Sequence, residues 1–424
     1  PLFLGKNGSE LSCCLRKGYG EIMKSERLLQ ISLVSAVINI ALTPIASNVA
    51  VYFGYLMIIC SWAYALMCTV LSRSLKISIL ALFIIVALSL STSVVYFNGE
   101  ELRKKIISII SFISFYCMLS LHKDTDISHR INFKHIYYSA IALSIVFGIY
   151  AFAFPSISYT PYGRYGDLLF TMGMGNPNGT AVYVLFTAMI LLLAISLTRS
   201  KLKKVILSVV VAALAYIMFL LSSRTVLACF ILALLCIIFL PSLKCRRTFR
   251  YIVLVAPIIM IIIQFALNDK IGDFELLGKD LDTGRYVMYR GLLEQIGNEP
   301  LQYIFGNLCK YNFQNFHNGV LTIFASLGVI GVIWTIKMWN ICLGDIEKTI
   351  KSKYQKLAYF FVLLFLLDSV SESMTMVGTL PQGLFVYLMV KIARGEVALN
   401  STDLSSESES FAQERKLYDR ASTD

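Results

Sequence analysis

Charged residues are scarce in this sequence of 424 residues, at 15% of the chain, whereas hydrophobic residues make up 57%. A soluble globular domain carries about 25% charged residues, so the composition excludes an ordinary soluble enzyme or binding module. Short segments of alternating polarity, which a membrane-spanning strand barrel needs, are also missing. The chain instead contains a series of apolar runs, each long enough to cross the hydrocarbon core of a bilayer as a helix.

The motifs of several enzyme classes are missing as well. The sequence contains no P-loop and no glycine-rich dinucleotide loop after a strand, so an enzyme here would work without ATP or sugar nucleotides. The ten cysteines follow neither a disulfide framework nor metal-ligand spacing, and we expect them to pack as small apolar residues. We therefore expect neither a cofactor nor a metal.

The apolar runs predict an all-α polytopic membrane protein with about twelve transmembrane helices in a single bundle over residues 28–394. No internal repeat stands out, which disfavours the inverted-repeat transporter architectures. The predicted spans are about 28–45, 49–71, 77–97, 106–121, 136–155, 179–197, 204–221, 225–241, 251–267, 319–341, 355–373 and 379–392.

The positions of Lys and Arg predict how the bundle is oriented. With the N-terminus in the cytoplasm, most basic residues fall in the inside loops, whereas the outside loops near 46–48 and 374–378 carry none. Residues 103–105, "RKK", are the exception, since they fall outside. This orientation also places the long loop 268–318 outside, with five Lys or Arg against seven Asp or Glu.

The same orientation places both chain ends in the cytoplasm. Residues 1–27 form a polar N-terminal segment, in which Met23 is a natural start, and residues 395–424 form a Ser/Glu-rich tail that we expect to be disordered. The net charge of +12 is then an orientation signal, and we expect no nucleic-acid partner.

The topology places one histidine and two arginines together on the outer side. His317 is the only one of four histidines predicted there. Arg224 lies in the tight hairpin "SSRT", where Ser222 and Ser223 can cap the next helix. A helix N-terminus with a guanidinium suits a phosphate at headgroup depth. The alternative is an arginine that only snorkels from a helix end.

Arg285 lies in "DTGRYVMYRGLLEQIGNEP", which predicts a helix that Asp282 or Thr283 caps and "GNEP" ends. Arg285 is in its first turn, again at a helix N-terminus. Arg290 is a competing candidate on the same helix. A solvated surface arginine is the alternative for both.

His317 is predicted to start the tenth span, where its imidazole can accept a proton at neutral pH, as a general base must. The alternative is a histidine that only caps the helix. Asp368 and Glu372 lie four apart, on one face near the outer end of the eleventh span. They can orient an arginine, bind sugar hydroxyls or carry a proton, or else form a structural ion pair. Asn176 and Asn178 open the sixth span, which is typical of a capped turn.

Four short motifs, taken in order, resemble the signature of O-antigen ligases and the related O-antigen or capsule polymerases. The first is "GMGNPNGT", the second "SSRT" and the third "TGRYVMYRGLLEQIGNEPLQYIFGN". The fourth is "HN" followed nine residues later by "GVIG", that is His317, Asn318, Gly328 and Gly331. The resemblance covers about residues 170–345.

The resemblance implies a GT-C-like fold with short helices in the periplasmic loop 268–318. It implies a metal-independent, inverting glycosyltransferase at the outer face of a bacterial inner membrane, with an undecaprenyl-diphosphate-linked glycan as donor. Arg224 and Arg285 would hold the diphosphate, and His317 would deprotonate the acceptor. The remaining candidate residues would have supporting roles: Asn318, Arg290, Asp368, Glu372 and Arg164.

The acceptor stays open at this stage. The motif set favours a polymerase that joins lipid-linked repeat units, with a ligase that transfers the finished glycan to lipid A-core as the alternative. Expected partners are the lipid-linked oligosaccharide, membrane lipids, and a chain-length regulator and flippase of the same pathway. A lipid-linked glycan flippase or another transporter is a third reading, which the gathering of charge on one face disfavours.

Overall fold

The computed structural model describes residues 26–71, 77–92, 99–120, 131–162, 167–240, 247–266, 275–276, 279–280, 285–297, 299–372, 374–378 and 381–398. Residues 399–424 of the tail, most of the N-terminal segment, Arg164, and the predicted capping residues Asp282 and Thr283 lie outside these ranges. The sequence predicts a disordered tail from residue 395, but residues 395–398 are described and end in the strand Val397–Ala398, because this strand pairs with Ile131–Asn132.

A helix forms in each of the twelve segments for which the sequence predicts a span. They are α1 (26–42), α2 (Ser47–Leu71), α3 (Ile77–Ser91), α4 (Gly99–Ser120), α5 (Phe133–Gly148, continued by a π-helical Ile149–Ala153), α7 (Pro177–Leu197), α8 (Lys201–Leu220), α9 (Arg224–Phe239), α10 (Arg247–Ala266), α14 (Gly319–Thr349), α15 (Lys353–Asp368) and α17 (Gln382–Arg394). Short helices occupy connections: α6 (Pro155–Ser158), α11 (Arg285–Gly297), α12 (Pro300–Phe305), α13 (Leu308–Tyr311) and α16 (Met374–Val377).

Six of these helices are long and apolar enough to cross a membrane, which indicates a membrane-embedded helical protein. The six are Ser47–Met67, Phe133–Ala153, Pro177–Leu197, Lys201–Leu220, Arg247–Ala266 and Gly319–Thr349. The count of twelve spans stays a prediction, because several helices are shorter than the bilayer core. For example, the 13 residues of α17 rise only about 20 Å.

Three two-stranded ladders join loop segments. β1 (Ile131–Asn132) pairs in parallel with β6 (Val397–Ala398). β2 (Tyr159–Tyr162) and β3 (Asp167–Phe170) pair antiparallel, as do β4 (Glu275–Leu276) and β5 (Lys279–Asp280).

Helices α7, α15 and α17 form the centre of the bundle and are buried along most of their length. Phe186 of α7 stacks on Phe385 of α17, with 4.3 Å between the ring centroids. Helices α8 and α10 bury one face and expose apolar side chains on the other. A wide exposed apolar surface of this kind is typical of helices that face lipid.

Contacts between distant segments define two ends of the bundle. At one end, the Leu308 amide donates to Ser89 Oγ at 3.0 Å, and Ser371 Oγ donates to Thr225 Oγ1 at 2.5 Å. Asn315 also donates to Glu372 at 3.0 Å, so the end of α3 and the turn after α15 both meet the segment 299–318, and the start of α9 meets that turn. We call this the loop end.

The opposite end of the bundle is the far end. There Arg394 at the close of α17 donates to the carbonyl of Leu119 in α4 at 3.0 Å, and Arg250 pairs with Glu347 at 2.9 Å. The contacts of Lys105, which donates to the Cys309 carbonyl, place the basic residues 103–105 at the loop end. The predicted exception to the charge rule therefore lies beside the segment 299–318.

Candidate active site at the loop end

The start of α14 is fixed by the two residues after His317. Asn318 is completely buried, and its side-chain oxygen accepts hydrogen bonds from the amides of Val320 and Leu321. Its amide group donates to a carbonyl of α10 at 3.0 Å. The amide of Gly319 donates to the carbonyl of Ser369 at 2.8 Å. Asn318 is thus the helix cap, and it also anchors the start of α14 to the end of α15.

This anchoring places His317 against Glu372. The imidazole Nδ1 lies 3.1 Å from Glu372 Oε1. The Glu372 side chain is only 2% exposed, whereas that of His317 is 30% exposed. Asn315 donates from its side-chain amide to Glu372 Oε2 at 3.0 Å and accepts from the His317 amide at 2.8 Å. A buried carboxylate therefore orients the imidazole through Nδ1, and the ring is partly exposed.

A second carboxyl lies behind this pair. Asp368 is completely buried, and neither of its oxygens has a hydrogen-bond partner in the described part of the chain. Arg285 and Glu372 are both close enough to act electrostatically on it. The predicted helix is present as α11, which is described from Arg285 to Gly297, whereas the residues predicted to cap it lie outside the described ranges. Tyr289, one turn later, donates to the His317 carbonyl at 3.2 Å, which docks α11 on the site.

We call Arg285, Asn315, His317, Asp368 and Glu372 the loop-end cluster. Asp368 and Glu372 do not share a helical face as predicted, because α15 ends at Asp368. A turn follows, in which the Glu372 amide donates to the Asp368 carbonyl at 2.9 Å. The two carboxyls still come together, because this amide-to-carbonyl hydrogen bond joins residues four positions apart, as in one turn of a helix.

Arg224 borders the loop-end cluster as the first residue of α9. The hydroxyl of its neighbour Thr225 accepts a hydrogen bond from Ser371, which directly precedes Glu372. The prediction that Ser223 caps α9 is wrong: Ser223 occupies the cap position but makes no capping hydrogen bond. The turn before it passes through Ser222 at φ 51°, and α9 is held instead by the contact with Ser371.

Backbone strain is concentrated at this end. The non-glycine residues with positive φ are Met172, Ser222, Asn312, Phe313 and His317, among the residues described. All five lie in connections at the loop end, and His317 itself has φ 54°. Residues held in such conformations cost of order 1–3 kcal/mol each and cluster at functional sites. The surrounding hydrogen bonds maintain this strain and so fix the position of the imidazole.

The glycines of the fourth motif shape α14 rather than contact the cluster. The helix breaks at Gly328, where φ is 66°, and a Cβ atom there would lie 2.2 Å from the Ile304 carbonyl oxygen. Gly306 fits into the break, since its own Cβ would lie 2.3 Å from the Leu327 nitrogen. The segment around Gly306, which leads to Asn315 and His317, therefore packs into this break.

The remaining predicted residues lie elsewhere or have structural roles. Arg290 points to solvent and pairs with Glu294 at 2.7 Å, away from the loop-end cluster. Asn176 caps α7 by accepting from the amides of Asn178 and Gly179, so the predicted capped turn is confirmed. Asn315 and Tyr289 are the two contributors that the sequence analysis did not single out. An Asn can accept a hydrogen bond from the amide two residues later in an Asx turn, and this local pattern is the signal that could have indicated Asn315.

The loop-end cluster combines an oriented imidazole, two carboxyls and a guanidinium at one end of the bundle. Within the described ranges, no group of three or more His, Cys, Asp or Glu side chains could hold a metal ion. The arrangement can remove a proton from a hydroxyl at His317 and stabilise negative charge near Arg285. No protein-family model, no curated protein and no solved structure matches this chain, so the family resemblance stays a hypothesis carried by the four motifs.

Proposed function

We propose that this protein is a membrane glycosyltransferase that extends a polysaccharide. In this proposal, the donor is a glycan on a polyprenyl diphosphate, of which undecaprenyl diphosphate is the bacterial form. The acceptor is a hydroxyl of another lipid-linked repeat unit, and the loop end faces the outside of the inner membrane. The proposal joins the resemblance of the four motifs to the geometry of the loop-end cluster.

The observation that carries the proposal is the contact between His317 Nδ1 and Glu372 Oε1 at 3.1 Å. With Glu372 ionised, Nδ1 carries the ring proton and donates it to the carboxylate. Nε2 then presents a lone pair as a neutral base. The exposed fraction of the His317 side chain leaves room for an acceptor hydroxyl.

The reaction step follows from this tautomer. His317 Nε2 takes the proton of the acceptor hydroxyl while its oxygen attacks the anomeric carbon of the donor. The bond from that carbon to the diphosphate oxygen breaks, and the electron pair leaves with the polyprenyl diphosphate. Attack opposite the leaving group inverts the anomeric centre. Glu372 stabilises the imidazolium that forms.

The leaving diphosphate needs compensating positive charge. Arg285 and Arg224 each occupy the first residue of a helix, where the free backbone amides and the helix dipole also favour an anion. Arg285 belongs to the loop-end cluster, and Arg224 borders it. We assign the diphosphate to the space between them and His317, with Asp368 and Glu372 setting the orientation of Arg285.

The test is complementation of a strain that makes the cognate polysaccharide but lacks its own polymerase. Wild type and His317→Ala are expressed, with His135→Ala as the matched control because His135 is exposed at the start of α5. We expect wild type and His135→Ala to restore a ladder of long chains, and His317→Ala to leave single repeat units. Loss of a general base lowers the rate by about 10²- to 10⁴-fold.

Two results would redirect the proposal. If a strain that lacks only this protein still forms polymer, and that polymer fails to reach lipid A-core, the protein is a ligase and the acceptor assignment is wrong. If His317→Ala supports normal ladders at equal membrane abundance, His317 is not the base and a transport function becomes the better explanation.

A further inference from the structure

A cavity of about 380 Å³ opens at the far end, between the start of α10 and the last turns of α14. Its polar lining consists of Arg247, Arg250, Asn340, Asp345, Glu347 and Lys348. Both lining segments lie at the far end, which the Arg250–Glu347 contact defines, whereas the loop-end cluster lies at the other end of the bundle. The cavity is therefore separate from the loop-end cluster and has no part in the proposed reaction.

The floor of the cavity is a buried ion pair. Arg250 Nη1 donates to Glu347 Oε2 at 2.9 Å, and the Tyr359 hydroxyl donates to Glu347 Oε1 at 2.6 Å. The Glu347 carboxylate is thus shared by two donors, while Arg250 Nε has no hydrogen-bond partner in the described part of the chain. The charge of Arg250 is balanced by Glu347, but its Nε is a buried donor that is left unsatisfied, which costs free energy.

The rim of the cavity is cationic and reaches solvent. Arg247 is exposed, and the Lys348 side chain is 79% exposed. The nearest described acid to Lys348 is Asp345, at 3.6 Å. A contact of this length between exposed groups is weak, so Lys348 keeps most of its attraction for an anion in the cavity. The lining carries three cations against two carboxylates, of which Glu347 already serves two donors.

The cavity lies at the level of lipid headgroups. Arg247 is the first residue of the 20-residue apolar helix α10, so the cavity opens where this helix leaves the hydrocarbon core. The predicted orientation places the far end at the cytoplasmic surface, where acidic phospholipids concentrate and basic clusters attract them. A basic pocket between membrane helices on this side is the arrangement that binds an acidic headgroup.

We propose that this cavity binds the phosphate of an acidic phospholipid, with Arg247 and Lys348 contacting the phosphate above the Arg250–Glu347 pair. Gly344 makes room for the floor, since a Cβ atom there would lie 2.6 Å from Arg250 Nη1. A free phosphate would use the same donors. The lipid is favoured because the cavity adjoins the apolar surface of α10, against which acyl chains can pack.

The experiment uses the purified full chain in a neutral detergent, titrated separately with phosphatidylglycerol, phosphatidylcholine and inorganic phosphate. Native mass spectrometry counts bound lipids, and thermal unfolding reports the effect of phosphate. Arg247→Gln/Lys348→Gln removes the rim. Lys351→Gln/Lys353→Gln removes two exposed cations from the same end without touching the cavity, and so is the matched control.

We expect one phosphatidylglycerol per wild-type chain, bound about tenfold more weakly by the rim variant and within about twofold of wild type by the control. Equal losses in both variants would overturn the site in favour of diffuse surface charge. Equal binding of phosphatidylcholine would overturn it as well. Stabilisation by inorganic phosphate at the same concentration as the lipid would overturn the lipid as the ligand.

Discussion

Buried charged side chains are arranged differently at the two ends of the bundle. At the far end, buried cations lie against carboxylates, as in Arg250–Glu347 at 2.9 Å and Lys391–Glu396 at 3.1 Å. At the loop end, two carboxyls lie side by side, and one of them, Asp368, has no hydrogen-bond partner in the described part of the chain. Opposite charges in contact stabilise a fold or are neutral to it, whereas like charges held together cost free energy.

The backbone shows the same contrast. The far end closes α17 with Gly395 in the left-handed region, a conformation that glycine adopts without strain. The loop end holds His317 and its neighbours Asn312 and Phe313 in that region without the help of glycine. Positive φ at non-glycine residues and two neighbouring carboxyls therefore distinguish the proposed active site at the loop end from the oppositely charged pairs at the far end.

Glu372→Gln tests the loop end most severely. The amide keeps the shape of the side chain but removes the charge that fixes the His317 tautomer and stabilises its protonated form. We expect polymer synthesis per folded protein to fall by about 10²- to 10⁴-fold, with little loss of thermal stability. The measurement is the rate of chain extension in membranes normalised to folded protein. An unchanged rate would mean that the His317–Glu372 contact is structural.

Glu347→Ala tests the far end, where we expect a loss of stability without a loss of rate. Removing the carboxylate leaves Arg250 buried without its partner, so we expect the free energy of unfolding to fall by about 3–5 kcal/mol. The rate per folded protein should stay within a fewfold of wild type. Unfolding in mixed micelles with increasing SDS measures the stability.

The double variant Arg250→Met/Glu347→Leu is the control for this interpretation. Replacing both members of a buried pair with apolar side chains of similar volume is often neutral or stabilising. We therefore expect the double variant to recover most of the lost stability. If it is as unstable as Glu347→Ala, the Arg250–Glu347 charge pairing is not what stabilises this end.

Arg285→Ala tests whether Arg285 stabilises the leaving diphosphate at the loop end. Loss of a group that stabilises the leaving diphosphate costs about 10²- to 10³-fold in rate. Arg290→Ala is the matched control, because Arg290 lies on the same helix but pairs with Glu294 in solvent. We expect Arg290→Ala to match wild type in both rate and stability. Equal losses from the two variants would assign α11 a general electrostatic role instead of a diphosphate contact.

Local sequence features predicted much of this architecture. Apolar runs gave the positions of the twelve helices, because a helix long enough to approach the bilayer width leaves a continuous signal. Capping chemistry predicted the start of α7 at Asn176, and the same reasoning placed Arg285 in the first turn of α11. The charge rule and the span count together brought His317, Arg224 and Arg285 to one side, and the structure places them near one another at the loop end.

Contacts over long sequence distances could not be predicted in this way. The His317–Glu372 pair joins residues 55 positions apart, and its geometry depends on the tie between Gly319 and Ser369. The far-end pair Arg250–Glu347 spans 97 positions and arises only when α10 packs on α14.

Gly328→Ala is the mildest test and concerns the support of the loop end. A Cβ atom at Gly328 would lie 2.2 Å from the Ile304 carbonyl oxygen, and φ 66° with ψ −170° is a region that only glycine occupies readily. We expect a loss of about 1–3 kcal/mol in unfolding free energy. We also expect a lower polymerisation rate, because the displaced segment leads to Asn315 and His317.

Gly291→Ala is the matched control for Gly328→Ala. Gly291 lies inside α11, and a Cβ atom there would meet no atom within 4 Å. Alanine should therefore be neutral or stabilise α11 by up to about 1 kcal/mol. If Gly328→Ala loses stability but keeps the wild-type rate, the break in α14 supports the fold without setting the position of His317. If it loses both, the strain at the loop end depends on the packing of Gly306 into that break.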